Sequence, residues 1–201
     1  PSLIYVKFTK RYKRFFADVI LNKKKITVHC PNSGSMLGLL NEYNDAWISK
    51  SDNPNRKLKF TLEIINDKKS NVGVNTHRAN RIVEEALQNK KIVELKKFTS
   101  IKREVKFSKE TRFDFMLENK SNKAFLEVKN VTLSREKETS EFPDAVTARG
   151  KKHLVHLQEA IKKGYESYLL FLIQREDIKI MKIADDIDLN YYNEIKKAKK
   201  S

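Results

Sequence analysis

The first third of the chain carries short apolar runs that alternate with polar positions, as half-buried β-strands do. Turn-rich stretches such as 31–35 and 51–55 separate these runs. Several short strands at this spacing are typical of a small barrel. We predict six strands in this part of the chain: 3–9, 15–21, 25–30, 45–49, 58–65 and 72–75.

The hydrophobic spacing changes near His77. The apolar residues that follow recur at helical intervals and predict a helix over about 78–89: Ala79, Ile82, Val83, Ala86 and Leu87. The elements predicted after it are strands 101–107, 111–117 and 124–131, a helix 145–163, strands 168–173 and 178–183, and a basic helix 191–200. This order indicates a sheet with helices against it. We therefore predict two domains, a β-barrel over 1–76 and an α/β domain over 77–201.

The chain is long enough to bury a core and basic enough to favour a polyanionic partner. It has 201 residues, 39% of them hydrophobic, and a formal net charge of +16. This charge favours nucleic acid first and an anionic membrane surface second, although a Lys-rich chain can also arise from a biased genome. The single Cys30 excludes an internal disulfide and fits a reducing, cytoplasmic compartment. No apolar run approaches the roughly 18 residues of a membrane span, so a membrane partner is not predicted.

Two carboxylates are predicted to face each other on neighbouring strands. If residues 119–122 form a hairpin loop, antiparallel pairing keeps the sum of paired residue numbers at 241, and 114 + 127 also equals 241. Asp114 then lies opposite Glu127, with Cβ atoms roughly 5 Å apart, and Lys129 shares their face. The other face is predicted to hold the apolar residues Phe113, Phe115, Leu117, Leu126 and Val128.

Facing carboxylates repel each other unless a cation or a proton joins them. Asp114 and Glu127 would suit Mg²⁺ or Mn²⁺, and Lys129 would orient water or stabilise charge on a phosphate, which together indicate phosphodiester chemistry. The alternative is an ordinary solvated sheet face, since 34% of the residues are charged.

Two further groups on the predicted helices have functional and structural interpretations. Glu85 borders the apolar stripe of the first helix, where it is either another acid reaching over the sheet or an exposed helix glutamate. His153 and His156 lie three apart on the second helix and could share a metal. Because no third ligand accompanies them, structural roles are favoured.

Three basic segments are candidates for nucleic-acid contact, since cations track phosphates while rings stack on bases. Their residues are Arg11, Tyr12, Lys13 and Arg14, then Arg56 and Lys57, and finally Arg149, Lys151 and Lys152. The first segment is equally compatible with a half-buried strand that has a solvated edge. In the third segment Asp144 is predicted to be the N-cap of the second helix.

Several distinctive blocks follow one another along the chain. They are 11–19 (RYKRFFADV), 29–36 (HCPNSGSM), 73–76 (GVNT), Ala79-Asn80 with 85–87 (EAL), 112–115 (RFDF), 126–133 (LEVKNVTL) and 142–154 (FPDAVTARGKKHL). In this order they resemble the sugar fermentation stimulation protein A (SfsA) family, through most of the chain.

The resemblance implies an N-terminal OB-like β-barrel followed by a PD-(D/E)XK nuclease-like mixed sheet flanked by helices. The nuclease pattern of that fold matches Asp114, Glu127 and Lys129, with Glu85 as the helix acid. Members of the family are regarded as DNA-binding proteins with a regulatory link to sugar (maltose) metabolism.

Two hypotheses of function follow. The first is a DNA-binding protein of low sequence specificity with a Mg²⁺- or Mn²⁺-dependent nuclease site, for which DNA is expected rather than RNA. The alternative is a non-enzymatic DNA-binding regulator that uses the nuclease-like fold as a scaffold. A basic protein acting on membranes is disfavoured, because no amphipathic anchor is evident. The oligomeric state stays open, with a homodimer as one option.

Overall fold

The helices and strands follow the predicted order along the chain. The computed structural model describes residues 2–200, and its elements are β1 (Leu3–Tyr12), β2 (Phe16–Leu21), β3 (Lys24–His29), β4 (Asp45–Lys50), β5 (Phe60–Asn66), β6 (Asn71–Gly73), α1 (Thr76–Gln88), β7 (Ser100–Lys106), β8 (Arg112–Glu118), β9 (Lys123–Val131), β10 (Thr139–Phe142), α2 (Ala148–Lys162), β11 (Glu166–Ile173), β12 (Ile180–Ile183) and α3 (Leu189–Ala198).

The chain packs as two compact units, each made of several segments. The first unit contains the residues up to His77 together with 131–145 and 173–182. The second contains 78–130, 146–172 and the residues from Ile183 onward. A domain boundary between 76 and 77 stays a prediction.

In the first unit, strands β1 to β5 close into a barrel. They neighbour one another in the order β3-β2-β1-β4-β5, and β3 also pairs in parallel with β5 through His29 and Thr61. Alternate side chains point inward and form a fully buried core that includes Phe8, Val19, Val28, Ile48, Leu62 and Ile65. This closed five-stranded barrel confirms the predicted OB-like class.

A buried arginine joins the segment 173–182 to the barrel. Arg175 donates to the carboxylates of Asp67 and Asp177, each at 2.8 Å, and to the backbone oxygen of Thr132 at 3.0 Å. A buried cation is tolerated because these acceptors pair it. Strand β10 pairs with β12 and was not predicted, because its residues, TSEF, include only one apolar side chain.

In the second unit, four strands form a sheet in the order β11-β9-β8-β7. Strands β8 and β9 are antiparallel, with Phe115 opposite Leu126 and Glu118 opposite Lys123. Since 115 + 126 and 118 + 123 both equal 241, the predicted register is confirmed for these pairs, and the pairing of Asp114 with Glu127 stays a prediction. The mixed sheet with flanking helices confirms the predicted fold class of this part of the chain.

Two apolar clusters cover the sheet. One joins Ala79, Val83 and Leu87 of α1 to residues that include Phe115, Leu117, Leu126 and Val128. The other joins Leu157 and Ala160 of α2 to Phe113 and Phe125. The grouping of Phe113 with Phe115 was therefore wrong. The pairing of β8 with β9 begins at Phe115, and just before it the side chain of Asp114 accepts the backbone N–H of Val128 on β9.

The start of α2 also differs from the prediction. Its N-cap is Thr147, whose hydroxyl accepts the N–H of Gly150 at 3.0 Å, and not Asp144. Asp144 lies in the first unit, where its carboxylate accepts the N–H of Met36 at 2.9 Å. A residue three positions before the N-cap cannot reach the free amides of the first turn.

Candidate metal and nucleic-acid sites

Asp114 lies at the point on β8 where regular pairing with β9 stops. One carboxylate oxygen accepts the amide of Asn80 from α1 at 2.7 Å, and the other accepts the backbone N–H of Val128 at 2.7 Å. Burial and the nearby charge of Glu127 raise the pKa of Asp114, and they outweigh these two bonds, which lower it. The carboxylate is thus oriented by its neighbours, and the charge of Lys129, which lowers its pKa, does not offset the effects of burial and of Glu127.

Glu127 is a buried strand residue, only 3% exposed, and its two oxygens have different surroundings. Oε1 accepts the ammonium of Lys129 at 2.6 Å and also contacts Nδ1 of His153. Burial raises the pKa of Glu127, but the hydrogen bond from His153 and the charge of Lys129 outweigh it and hold the pKa below its ordinary value. No group among residues 2–200 forms a hydrogen bond with Oε2, although that atom is buried.

His153 connects Glu127 to the outer face of α2. Its contact with the carboxylate requires a proton on Nδ1, which leaves Nε2 to accept the guanidinium N–H of Arg149 at 3.4 Å. Arg149 and His153 are four apart and therefore lie on one face of the helix. An imidazole held at both nitrogens orients the carboxylate that it contacts.

The close approach of α2 to α3 brings Tyr191 of α3 near the carboxylate of Glu127. A Cβ built on Gly150 would lie 2.8 Å from the hydroxyl of Thr147 and 3.2 Å from the ring of Tyr191, so only glycine fits without a shift. Burial, with the charges of Glu127 and Asp188, raises the pKa of the Tyr191 phenol. Glu127 therefore has the phenol of Tyr191 as a neighbour, in addition to Lys129 and His153.

The donor set fits a hard divalent cation. A buried carboxylate oxygen without a partner and a second carboxylate with a raised pKa are both relieved by a bound cation. In the described part of the chain no three His, Cys, Asp or Glu side chains are arranged to hold a metal. Two carboxylates nevertheless suffice for Mg²⁺, which commonly keeps several waters and takes other oxygens from a phosphate.

The structure brings three of the four predicted catalytic residues together. Asp114, Glu127 and Lys129 share one site, whereas Glu85 is exposed on α1. The α1 residue that contacts Asp114 is Asn80, five positions earlier. Five residues advance a helix by about 140°, so the two side chains lie on different faces.

Asn80 was not among the predicted site residues, and a structural role was favoured for His153. Asn80 belongs to a distinctive block, but only its place on α1 shows that it reaches Asp114. His153 and His156 were paired by their spacing, yet their partners differ. His153 contacts Glu127, and His156 contacts the hydroxyl of Thr111.

The guanidinium of Arg11, on β1 of the barrel, forms hydrogen bonds with backbone carbonyls of the same unit. Its guanidinium donates to the carbonyls of Asn32 at 2.6 Å, Gly34 at 2.8 Å and Arg14 at 2.9 Å. A Cβ on Gly34 would lie 2.6 Å from the carboxylate of Asp144. These contacts give the block 29–36 a structural role and leave Arg11 few donors for a phosphate.

The other predicted nucleic-acid residues differ in exposure. Lys13 and Arg14 are exposed in the β1–β2 turn, and Tyr12 stacks on Phe16 with ring centroids 5.7 Å apart. Arg56 donates to the hydroxyl of Thr61 at 2.9 Å.

Lys57 is exposed beside Arg56. On α2, Arg149 is exposed, Lys151 is half-buried and Lys152 pairs with Glu110. No helix in the described range 2–200 is long and apolar enough to span a membrane.

Two family models divide the chain between them. The SfsA N-terminal OB domain matches residues 9–74, and the sugar fermentation stimulation protein RE domain matches residues 77–201. The chain belongs to the sugar fermentation stimulation protein (SfsA) family.

Members of the family are similar to this chain over nearly its whole length. The sugar fermentation stimulation protein homolog of Pelagibacter ubique is 59% identical over 200 residues, which cover 100% of this chain and 86% of that one. The homolog of Agrobacterium fabrum is 43% identical over 193 residues, covering 95% and 81%. The structure of Pyrococcus furiosus SfsA in complex with Ca²⁺ matches with a TM-score of 0.91 at 21% identity, over 99% of this chain and 84% of that one.

Proposed function

We propose that this chain is a DNA-binding protein of low sequence specificity that cleaves phosphodiester bonds at a site made of Asp114, Glu127 and Lys129. The observation that carries the proposal is the asymmetry of Glu127. Its Oε1 is held by Lys129 and His153, while its buried Oε2 lacks a partner among residues 2–200. Leaving such an oxygen unpaired costs free energy, and a metal ion bound there would recover it.

The Ca²⁺ complex of the Pyrococcus furiosus relative supports a divalent cation in this family. Ca²⁺, Mg²⁺ and Mn²⁺ all take oxygen ligands, and we propose Mg²⁺ or Mn²⁺ for this chain because a two-carboxylate site suits their chemistry on phosphates. When bound, such an ion lowers the pKa of a water and neutralises charge that builds on the phosphate.

The side chains of the site divide the remaining work. Asp114 and Glu127 would hold the ion, and Asn80 and His153 keep the two carboxylates in place. Lys129 carries a positive charge beside Glu127 at 2.6 Å, from which it can orient the attacking water or stabilise the transition state electrostatically. The net charge of +16 favours the polyanionic substrate.

The second candidate is a non-enzymatic DNA-binding regulator of sugar (maltose) metabolism. The name of the relatives, sugar fermentation stimulation protein homolog, favours it. The ion pair inside the site also favours it, because Lys129 already balances the charge of Glu127.

Incubation with end-labelled DNA and RNA in Mg²⁺, Mn²⁺ or EDTA separates the two candidates. The nuclease predicts metal-dependent cleavage that disappears in Asp114→Asn and Glu127→Gln, while gel-shift binding is retained. Binding without cleavage in any metal would leave the regulator as the surviving candidate.

A further inference from the structure

Three rings form a row at one end of the barrel. Phe15 precedes β2, His29 ends β3, and His77 lies in the first turn of α1. The ring centroids of Phe15 and His29 are 6.5 Å apart, and those of His29 and His77 are 6.4 Å apart. Phe15 is 42% exposed and His77 is exposed, so this row faces solvent.

Backbone contacts hold the three rings in place. The N–H of Cys30 donates to the carbonyl of Phe15 at 2.9 Å, which fixes the end of β3 beside the start of β2. The N–H of Thr76 donates to the carbonyl of Pro31 at 3.2 Å and brings His77 to the same place. Segments distant in sequence therefore present their rings together.

The rings of this row leave surface for another ring. Their planes are tilted by 32° between Phe15 and His29 and by 47° between His29 and His77. By contrast, Tyr12 and Phe16 are inclined by only 19° and stack on each other. Exposed rings that are not stacked on each other can accept a base, and every base has a π-face to offer.

Cations surround the row. Arg56, anchored on Thr61 of β5, approaches His29 closely enough to act on it. Burial lowers the pKa of His29, and the neighbouring Arg56 and His77 lower it further. Lys13 and Arg14 are exposed in the turn just before Phe15. These charges complement a phosphate backbone running past the rings.

The position in the barrel agrees with this chemistry. Phe15 belongs to the β1–β2 connection, Arg56 to the β4–β5 connection, and His29 to the end of β3. In OB barrels the face of the second and third strands and these two connections bind oligonucleotides.

We propose that Phe15, His29 and His77 form a stacking platform for unpaired bases, so that the barrel binds single-stranded nucleic acid in preference to duplex. The proposal rests on the nucleic-acid binding proposed above and names its substrate class. In a duplex the bases stack inside the helix and cannot reach exposed rings, whereas the phosphate contacts are common to both forms.

The test measures binding by fluorescence anisotropy in EDTA, which prevents metal-dependent cleavage. The probes are oligothymidylate, oligouridylate and a DNA duplex, each about 20 nucleotides long, more than the roughly 4–16 that one OB fold covers. We expect tighter binding of a single strand than of the duplex. We expect Phe15→Leu and His77→Ala each to weaken single-strand binding by about fivefold or more, with little change for the duplex.

Two control variants isolate the aromatic contribution. Phe15→Tyr keeps the ring and should keep the affinity. Tyr43→Leu removes another exposed aromatic side chain, 58% exposed on the β3–β4 connection, and should leave the affinity unchanged. Thermal unfolding followed by circular dichroism identifies any variant that fails to fold, and since Phe15 and His77 are exposed, the variants should unfold as the native protein does.

Equal affinity for duplex and single strands would overturn the proposal, as would equal losses on both polymers in Phe15→Leu. A loss in Tyr43→Leu as large as that in Phe15→Leu would also overturn it. Cleavage without single-strand preference would remove the platform and keep the nuclease, whereas preference without cleavage would do the reverse.

Discussion

Two buried glutamates, one in each compact unit, differ in how their oxygens are satisfied. Glu63 of the barrel is 6% exposed, and it accepts the hydroxyl of Ser49 at 2.5 Å on one oxygen and the amide of Asn75 at 2.8 Å on the other. Glu127 is just as buried, yet Lys129 and His153 both approach Oε1, and Oε2 has no hydrogen-bond partner within residues 2–200. A structural carboxylate is paired at both oxygens, whereas one with an unpaired buried oxygen is a candidate ligand.

The largest expected effect is the difference between substituting Glu127 and substituting Glu63. Glu127→Gln should reduce metal-dependent cleavage on the order of 100-fold or more, because it removes the charge that holds a cation. Glu63→Gln should leave cleavage nearly native and instead lower the free energy of unfolding by about 1–3 kcal/mol, since it mispairs a buried hydrogen bond. Nuclease assays and urea unfolding of both variants check this. If Glu63→Gln loses more cleavage activity than its unfolded fraction explains, the two glutamates do not differ in role as proposed.

A smaller effect should show that His153 positions Glu127. His153→Asn loses the contact to Oε1, and we expect roughly 10- to 100-fold weaker binding of Mn²⁺, measured by isothermal titration calorimetry without nucleic acid. His156→Asn is the matched control on the same helix, because His156 contacts Thr111 and not the site. Native Mn²⁺ affinity in His153→Asn would show that the imidazole has only a packing role.

The same contrast can be drawn between two arginines of the barrel. Arg11 serves backbone carbonyls, so Arg11→Ala should lower the free energy of unfolding by about 1–3 kcal/mol. Arg14 is exposed, so Arg14→Ala should unfold normally and reduce the salt dependence of nucleic-acid binding by about one unit of the log–log slope. Binding isotherms at several salt concentrations, with thermal melts, check both. A normal melting temperature for Arg11→Ala would contradict its structural assignment.

The smallest effect concerns pH. Because the pKa of Glu127 is lower in the folded chain than its ordinary value of 4.5, its ionised form contributes stability above pH 4.5. This contribution is lost as the pH falls through the lower folded value. The melting temperature of the native protein should exceed that of Glu127→Gln near neutral pH, and the gap should shrink below 4.5. A gap independent of pH would show that the ion pairs with Lys129 and His153 contribute no net stability.

Local patterns were sufficient to predict much of the fold. The alternation in β8 and β9 and the polar loop between them set the pairing sum of 241, which four consecutive pairs confirm. Strand β10 was not predictable because it has only one apolar side chain, and the N-cap of α2 was mispredicted because the partner of Asp144 is far away in sequence. Asp144 has the chemistry of a cap, but it bonds Met36 of the first unit.

Only the residues of the candidate site that lie on strands β8 and β9 were predictable. Asp114, Glu127 and Lys129 follow from strand register and face, which are properties of adjacent segments. Asn80 and His153 reach the site because α1 and α2 pack against the sheet. The burial of apolar surface sets that arrangement.

The sequence by itself determined the order of elements, the barrel followed by a sheet with helices, the hairpin register and the strong positive charge. These features depend on periodicity, turn chemistry and composition, which act over a few residues. Only the tertiary structure decided which oxygen of Glu127 lacks a partner within residues 2–200. It also decided which arginine binds backbone carbonyls and which aromatic rings lie close together at the end of the barrel. Such outcomes depend on contacts between segments separated by tens of residues. The entropy lost when these segments come together is offset by their packing, which local sequence patterns do not specify.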